Sequence, residues 1–184
     1  MYNKIGDKVK VIFLDVYGVL IHNNYRNPEN LHIDEEKVKI LKQIVDKTNS
    51  KIVLSSTWKN SYNKKVTPNR YNVLEKILEK YNLKIYDRVP SLKPELLTKE
   101  KLQDKKYKKV TSKYDPNTRR SAEINKYLKT HDIENFLIID DRDFDWKYFK
   151  LHKNLIKTSY NKKGLLEKHL KKAIKILNSK KDRK

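Results

Sequence analysis

At 184 residues with 37% hydrophobic content, the chain has material for one core and little room for a second, so a single domain is expected over residues 1–178, with a basic tail at 179–184. No apolar run approaches the roughly 20 residues that cross a bilayer, the opening MYNKIGDKVK lacks the apolar stretch of a secretion signal, and the absence of cysteine excludes disulfides, thiolate metal sites and cysteine nucleophiles. The expected setting is cytoplasmic, and the net charge of +21 suggests a polyanionic partner such as RNA or DNA, although an AT-rich genome also enriches Lys, Asn, Ile and Tyr without selection for binding.

Along the chain, short β-like runs alternate with amphipathic stretches, the pattern of a parallel sheet with crossover helices. KVIFLD, at residues 10–15, is a continuous apolar run of the kind that forms a strand covered on both faces. IDEEKVKILKQIVDK follows with Asp34 as helix N-cap, acids in the first turn, and Val38, Leu41, Ile44 and Val45 on one face. KIVLSSTW supplies a second strand ending in hydroxyls. TPNRYNVLEKILEKY then predicts a helix with Thr67 as N-cap, Pro68 at its first position, and Leu74, Ile77, Leu78 and Tyr81 buried.

NLKIYDRV reads as a third strand. Residues 87–120 are lysine-rich, contain Pro90, Pro94 and Pro116, and show weak periodicity; they read as a small cap-like insertion or a mobile basic loop. Beyond them come a helix over SAEINKYLKTH with Ser121 as N-cap, the strand NFLIIDD, a short helix around WKYFK, the strand NLIKT, and the helix LLEKHLKKAIKIL. In that last helix Leu166, Leu170, Ile174 and Leu177 share one face.

In open α/β sheets ligands bind at the carboxyl ends of the strands. Three predicted strands end there in polar residues: Asp15 after VIFL, Ser55 after IVL, and Asp140 with Asp141 after FLII. A strand running into Asp and Gly is most often a plain turn, a Ser-Ser pair a helix cap, and adjacent acids a solvated patch. Their occurrence together, in order and each at a strand end, is harder to dismiss.

These residues give the chain a resemblance to the haloacid dehalogenase (HAD) superfamily of hydrolases. Its first motif, Asp-x-Asp-Gly after an apolar strand, matches Asp15-Val16-Tyr17-Gly18 except at Tyr17; its second matches Ile52-Val53-Leu54-Ser55; its fourth matches Asp140-Asp141. Arg120, in RRSAEI, takes the place of the third-motif cation. LSSTW, RRSAEI and FLIIDDRDFD are similar to a small, nearly capless subgroup found with RNA-repair enzymes. The resemblance covers residues 8–160 and implies an α/β fold: a three-layer Rossmann-like parallel sheet with helices on both faces and a minimal cap.

The resemblance also implies roles. Asp15 would attack phosphorus and form an aspartyl-phosphate. Mg2+ would be held by Asp15, the Tyr17 carbonyl, and Asp140 and/or Asp141, while Ser55, with Ser56 beside it, and Arg120 would hold the phosphoryl oxygens. Acids converging on one point repel each other, so a hard, oxygen-seeking cation is the natural counter-charge.

Tyr17 departs from the pattern. Family phosphatases use an Asp there to protonate the leaving oxygen and then activate water, a role worth on the order of 10² to 10⁴ in rate. A phenol, with an ordinary pKa of about 10, donates a proton but is a poor base near neutrality. Three readings follow. The first is a slow or substrate-assisted phosphohydrolase acting on a phosphorylated macromolecule, whose leaving group needs little protonation or whose proton comes from elsewhere, such as His22 or Asp143. The second is a catalytically impaired module that binds a phosphate end or nucleic acid. The third is a metal-independent dehalogenase-like hydrolase, whose first motif also reads Asp-x-Tyr-Gly. That third class carries a helical cap between its first two motifs, whereas here only 40 positions separate Asp15 from Ser55. An open cleft favours a large substrate.

The remaining candidates have plainer readings. Trp58 could stack on a base but packs more naturally over a strand end. Trp146, Phe144, Tyr148 and Phe149 read as core, the five histidines show no metal-ligand spacing, and Asp143 and Asp145 either extend the acidic motif or start a solvated helix.

Overall fold

The apolar run of the first motif forms β1, Val9–Leu14, the central strand of a five-stranded sheet. A computed structural model describes residues 8–92 and 116–179. The sheet order is β3-β2-β1-β4-β5, every pairing parallel, with β2 at Lys51–Leu54, β3 at Ile85–Arg88, β4 at Ile133–Asp140 and β5 at Leu155–Lys157. Helices α1 (Glu35–Thr48), α2 (Arg70–Glu79), α3 (Pro116–Thr130) and α4 (Leu170–Leu177) complete the described residues, together with short 3-10 turns. None of these helices is long and apolar enough to cross a membrane.

Alternation along β1 explains why its sequence is apolar without a break. Ile12 and Leu14 pack with Ile52, Leu54 and Ile139 against α1, α2 and α4, through Leu41, Ile44, Leu74, Leu78, Ala173 and Leu177. Val11 and Phe13 face the other way and pack with Val53 and Ile138 against Ile124 and Tyr127 of α3 and against Phe144, Trp146 and Leu151. Both faces of the sheet are therefore covered, as a parallel sheet requires. The three-layer α/β architecture read from the sequence is the observed one.

Asp34 caps α1, its side chain accepting from the backbone N–H of Glu36 at 2.9 Å. Elsewhere the boundaries differ from expectation. The cap of α2 is Asn69, not Thr67: its Oδ1 accepts from Asn72 N, while its amide donates to the carbonyls of Ser61 and Lys64, so one side chain ties the preceding loop to the helix. The Thr67–Pro68 bond is cis, and Pro68 lies outside the helix. Helix α3 begins at Pro116, which places Ser121 inside it, fully buried, rather than at its cap.

WKYFK is not helical. Asp145 and Lys150 both take positive φ, and the backbone closes as successive turns. The last helix starts at Leu170, after a 3-10 turn at Glu167–His169. Its buried positions are Ala173 and Leu177, with Leu170 and Ile174 half-buried. Residues 93–115, most of the expected insertion or basic loop, and the tail beyond 179 lie outside the described residues.

Candidate active site

Strand register sets the site. Leu14 pairs with Leu54 on one side and Ile139 on the other, so Asp15, Ser55 and Asp140 are the next residues on three adjacent strands. The ladder carries one residue further: Asp15 N donates to Ile139 O at 3.0 Å, Ser55 N to Leu14 O at 2.9 Å, and Thr158 N to Asp140 O at 2.9 Å. The chain leaves β1 towards β2 and returns to β4 on β1's other flank. This is the switch point at which a crevice opens in such sheets.

The turn after β1 brings in the fourth residue. Val16 O accepts from the backbone of Leu20 and Ile21, and Gly18 N donates to Ile21 O at 2.8 Å. Gly18 has φ +71, and a Cβ there would lie 2.1 Å from the Asp141 carboxyl carbon. Only glycine lets Asp141 pass so close to the turn. Asp15, Asp140 and Asp141 each then offer a carboxylate oxygen within 4.8 Å of the others.

Arg120, from the opposite layer, reaches the same point. Its Nη1 lies 2.7 Å from Asp15 Oδ1 and 2.7 Å from Asp140 Oδ2, and its guanidinium rests over the Phe144 ring. Asp140 is fully buried, and its Oδ1 accepts from Arg142 N at 3.0 Å. Burial, and then the charge of Asp15, push the Asp140 carboxyl up to about 7 against the opposing pull of Arg120. The same two causes raise Asp141. Burial disfavours the charge on Arg120, but Asp15 and Asp140 outweigh it and hold the guanidinium more firmly protonated than usual. One cation thus faces three acids.

Two buried polar atoms here lack a hydrogen-bond partner among the described residues: Ser55 Oγ and Asp141 Oδ1. Such atoms cost about 1–3 kcal/mol each if left unmade, and both find a purpose if a ligand occupies the crevice. An all-oxygen set of three carboxylates suits a hard divalent cation such as Mg2+. The Ser55 hydroxyl and the guanidinium suit a phosphoryl group, because the two carboxylates engage only Nη1 of a group with five N–H donors.

Other expected residues sit differently. Ser56 is buried and caps the 3-10 turn Thr57–Ser61, accepting from Trp58 N, so its hydroxyl serves the fold. Trp58 is 1% exposed and belongs to the core, whereas Tyr17 is 45% exposed, with its ring edge-to-face against Trp58 at 6.1 Å. The aromatic available at the mouth is therefore Tyr17. Neither expected alternative proton source is free: His22 Nε2 pairs with Asp34 Oδ2 at 2.8 Å while its Nδ1 accepts from Asn24 N, and Asp143 accepts from Lys157 Nζ at 2.6 Å. His22 braces the loop after β1 against the start of α1. Trp146 and Phe144 are core, as read from the sequence.

A buried ion pair escaped the sequence reading. Lys59 Nζ meets Glu123 Oε2 at 2.5 Å, and Glu123 Oε1 accepts from Leu92 N at 3.3 Å. The pair fastens the turn after Ser55 to the helix that carries Arg120. Its members are 64 positions apart, and no local pattern announces it.

A family model described as the HAD domain in Swiss Army Knife RNA repair proteins matches residues 11–170. No curated protein and no solved structure matches the chain.

Proposed function

Because the chain belongs to the family of HAD domains in Swiss Army Knife RNA repair proteins, we propose that it is a HAD-type phosphohydrolase that removes phosphate from a nucleic-acid end, with Asp15 as nucleophile and Mg2+ as cofactor. One observation carries this reading: Asp15, Asp140 and Asp141 converge within 4.8 Å at the sheet's switch point, beside Arg120 and the unpartnered Ser55 hydroxyl.

Asp15, the Tyr17 carbonyl, Asp140 and Asp141 would hold the cation, which supplies charge neutralisation for the reacting phosphoryl group. The chain's own residues then divide the work. Ser55 Oγ and the unoccupied edge of Arg120 bind phosphoryl oxygens and orient phosphorus towards Asp15. Asp15 Oδ forms a bond to phosphorus as the bond to the leaving alcohol breaks, and the departing oxygen takes up a proton. Water then attacks the acyl phosphate, releasing inorganic phosphate and regenerating Asp15. Tyr17 is the residue that limits this cycle, since a phenol at that position donates a proton more readily than it accepts one near pH 7.

That same residue favours a second reading, a module that binds a phosphorylated end with little turnover: the Tyr17 ring lies against Trp58 and is exposed to solvent. The converging acids count against the metal-free dehalogenase reading, because a single guanidinium faces three carboxylates and leaves negative charge for a further cation to offset.

Phosphate release from an aryl phosphate and from 3′- and 5′-phosphorylated oligonucleotides, with and without Mg2+, separates these readings. Release that needs Mg2+ and disappears in Asp15→Asn is expected. Tight, salt-sensitive oligonucleotide binding with no release under any condition would favour the module.

A further inference from the structure

We propose that the β3 side of the site is a path for single-stranded nucleic acid, on which an unpaired base packs against Tyr17 and a backbone phosphate is held by Arg88. The proposal rests on the reading of the substrate as a nucleic-acid end.

The exposed aromatics lie to this side. Among the described residues the exposed large apolar side chains are Tyr17, Tyr62, Val66 and Tyr86; Tyr17 stands two residues after Asp15, Tyr62 and Val66 follow the second motif, and Tyr86 lies in β3 itself. Two of these rings are held in place. Tyr17 lies edge-to-face against buried Trp58, and four residues later Tyr62 lies edge-to-face against buried Tyr71 at 4.9 Å. The turn Thr57–Ser61 joins the two contacts. A base can stack on a ring whose orientation is already fixed without immobilising it first.

Arg88 supplies the charge. Its guanidinium carbon lies 3.4 Å from the centre of the Tyr62 ring and 5.8 Å from that of the Tyr71 ring. Among the described residues it has no carboxylate partner. The adjacent Asp87 turns away, accepting from the backbone N–H of Arg88 and from the Tyr127 hydroxyl at 2.9 Å on the other face of the sheet. Glu75 is the acid whose charge bears on Tyr71. A guanidinium pinned on a ring and lacking a carboxylate is a preorganised phosphate receptor. Lys64 and Lys65, before α2, and Arg70 at its start are exposed and positively charged.

Register gives the distance. Arg88 pairs with Leu54, and Leu54 with Leu14. The Arg88 backbone is thus two strands from that of the residue before Asp15, about 10 Å at ordinary strand spacing. A phosphate at Arg88 belongs to the same chain as a terminal phosphate at Asp15, with the Tyr17 ring beside the site.

Stacking on a ring face requires an unpaired base, whereas charge alone would hold a duplex equally well. The test uses Asp15→Asn to prevent turnover and measures, by fluorescence anisotropy, binding of a 5′- or 3′-phosphorylated single strand and of its duplex, in RNA and DNA forms. In that background Tyr17→Ala is expected to weaken single-strand binding by about five- to a hundredfold and duplex binding by less than about twofold. Arg88→Gln is expected to weaken both strand types and lower the slope of log affinity against log salt by about one. Arg88→Met, which keeps apolar packing on the Tyr62 ring without the charge, serves as second variant if Arg88→Gln does not fold. The control, Lys162→Gln with Lys163→Gln beyond β5, should change the single-to-duplex ratio by less than the Tyr17 variant. Equal losses for single strand and duplex in Tyr17→Ala, or an unchanged salt slope in both Arg88 variants, would overturn the path. If the unmodified chain releases phosphate while these variants bind normally, the path fails and the phosphatase reading stands. If the variants lose single strands but the unmodified chain releases nothing, the path stands and the phosphatase reading fails.

Discussion

Replacing Asp140 with Asn should stabilise the metal-free protein at pH 8 and destabilise it by about 1–2 kcal/mol at pH 4. Asp140 is fully buried beside Asp15, and its carboxyl is pushed from 3.8 up to about 7. Below about pH 4 it is protonated in both folded and unfolded chains. As pH rises from there towards 7, the unfolded chain releases this proton while the folded chain keeps it, so stability is lost with rising pH. The loss is complete once the folded group has titrated, and it amounts to about 4 kcal/mol. Asn carries no charge and removes this term. It can still accept from Arg120 through its single carbonyl oxygen, but it then presents an amide to Arg142 N, forfeiting the bond now made at 3.0 Å. That forfeit costs about 1–2 kcal/mol. A net gain of about 2–3 kcal/mol remains at pH 8, or roughly 4–12 °C in Tm for a chain of this size. Thermal unfolding in chelator, scanned from pH 4 to 8, reads it directly. A Tm that falls at pH 8, or a difference between the two proteins that does not grow with pH, would refute the electrostatic account.

Other outcomes follow from the same geometry. Adding Mg2+ should raise the Tm of the unmodified protein more at pH 8 than at pH 6, because Asp140 must shed a proton to bind it, and Asp141→Asn should blunt that rise; a shift independent of pH would count against these ligands. Gly18→Ala forces a side chain onto a φ of +71 and against the Asp141 carboxyl, so it should cost about 2 kcal/mol or more, read by urea denaturation, and weaken the Mg2+ response. Tyr17→Asp restores a carboxylate at the acid-base position; if the chain is a phosphatase limited there, turnover should rise by a large part of the 10²- to 10⁴-fold contribution of such groups, and no rise would place the limit elsewhere.

Much of this was legible because the fold writes its sheet plainly. A strand packed on both faces has no polar position to spare until it ends, so the end of VIFL and the end of FLII mark where Asp15 and Asp140 emerge. Asp34 was readable as a cap because its partner is two residues away. Helix starts whose markers compete or reach far were not. Pro116 at the first position of α3 was the better signal than Ser121, and Asn69 earns its cap through carbonyls in a loop five and eight residues back.

WKYFK has helical spacing, but Asp145 and Lys150 occupy the left-handed region, and nothing local distinguishes a non-glycine residue that will do so. Trp58 packs in the core as its plainer reading had it; that Tyr17 is left exposed beside it has a similar cause. Both are aromatic and both follow a motif strand, and only the packing decides that Trp58 fills the core while Tyr17 faces solvent. The Lys59–Glu123 and Arg88–Tyr62 contacts join segments distant in sequence.

The central claim is that Asp15 itself takes up the phosphoryl group. Mixing the protein and Mg2+ with an oligonucleotide labelled in its terminal phosphate, then quenching in acid within the first turnover, tests that most directly. Label should appear on the protein, map to the peptide carrying Asp15, and be absent from Asp15→Asn. Phosphate released without label ever reaching the protein, or label retained in Asp15→Asn, would contradict it.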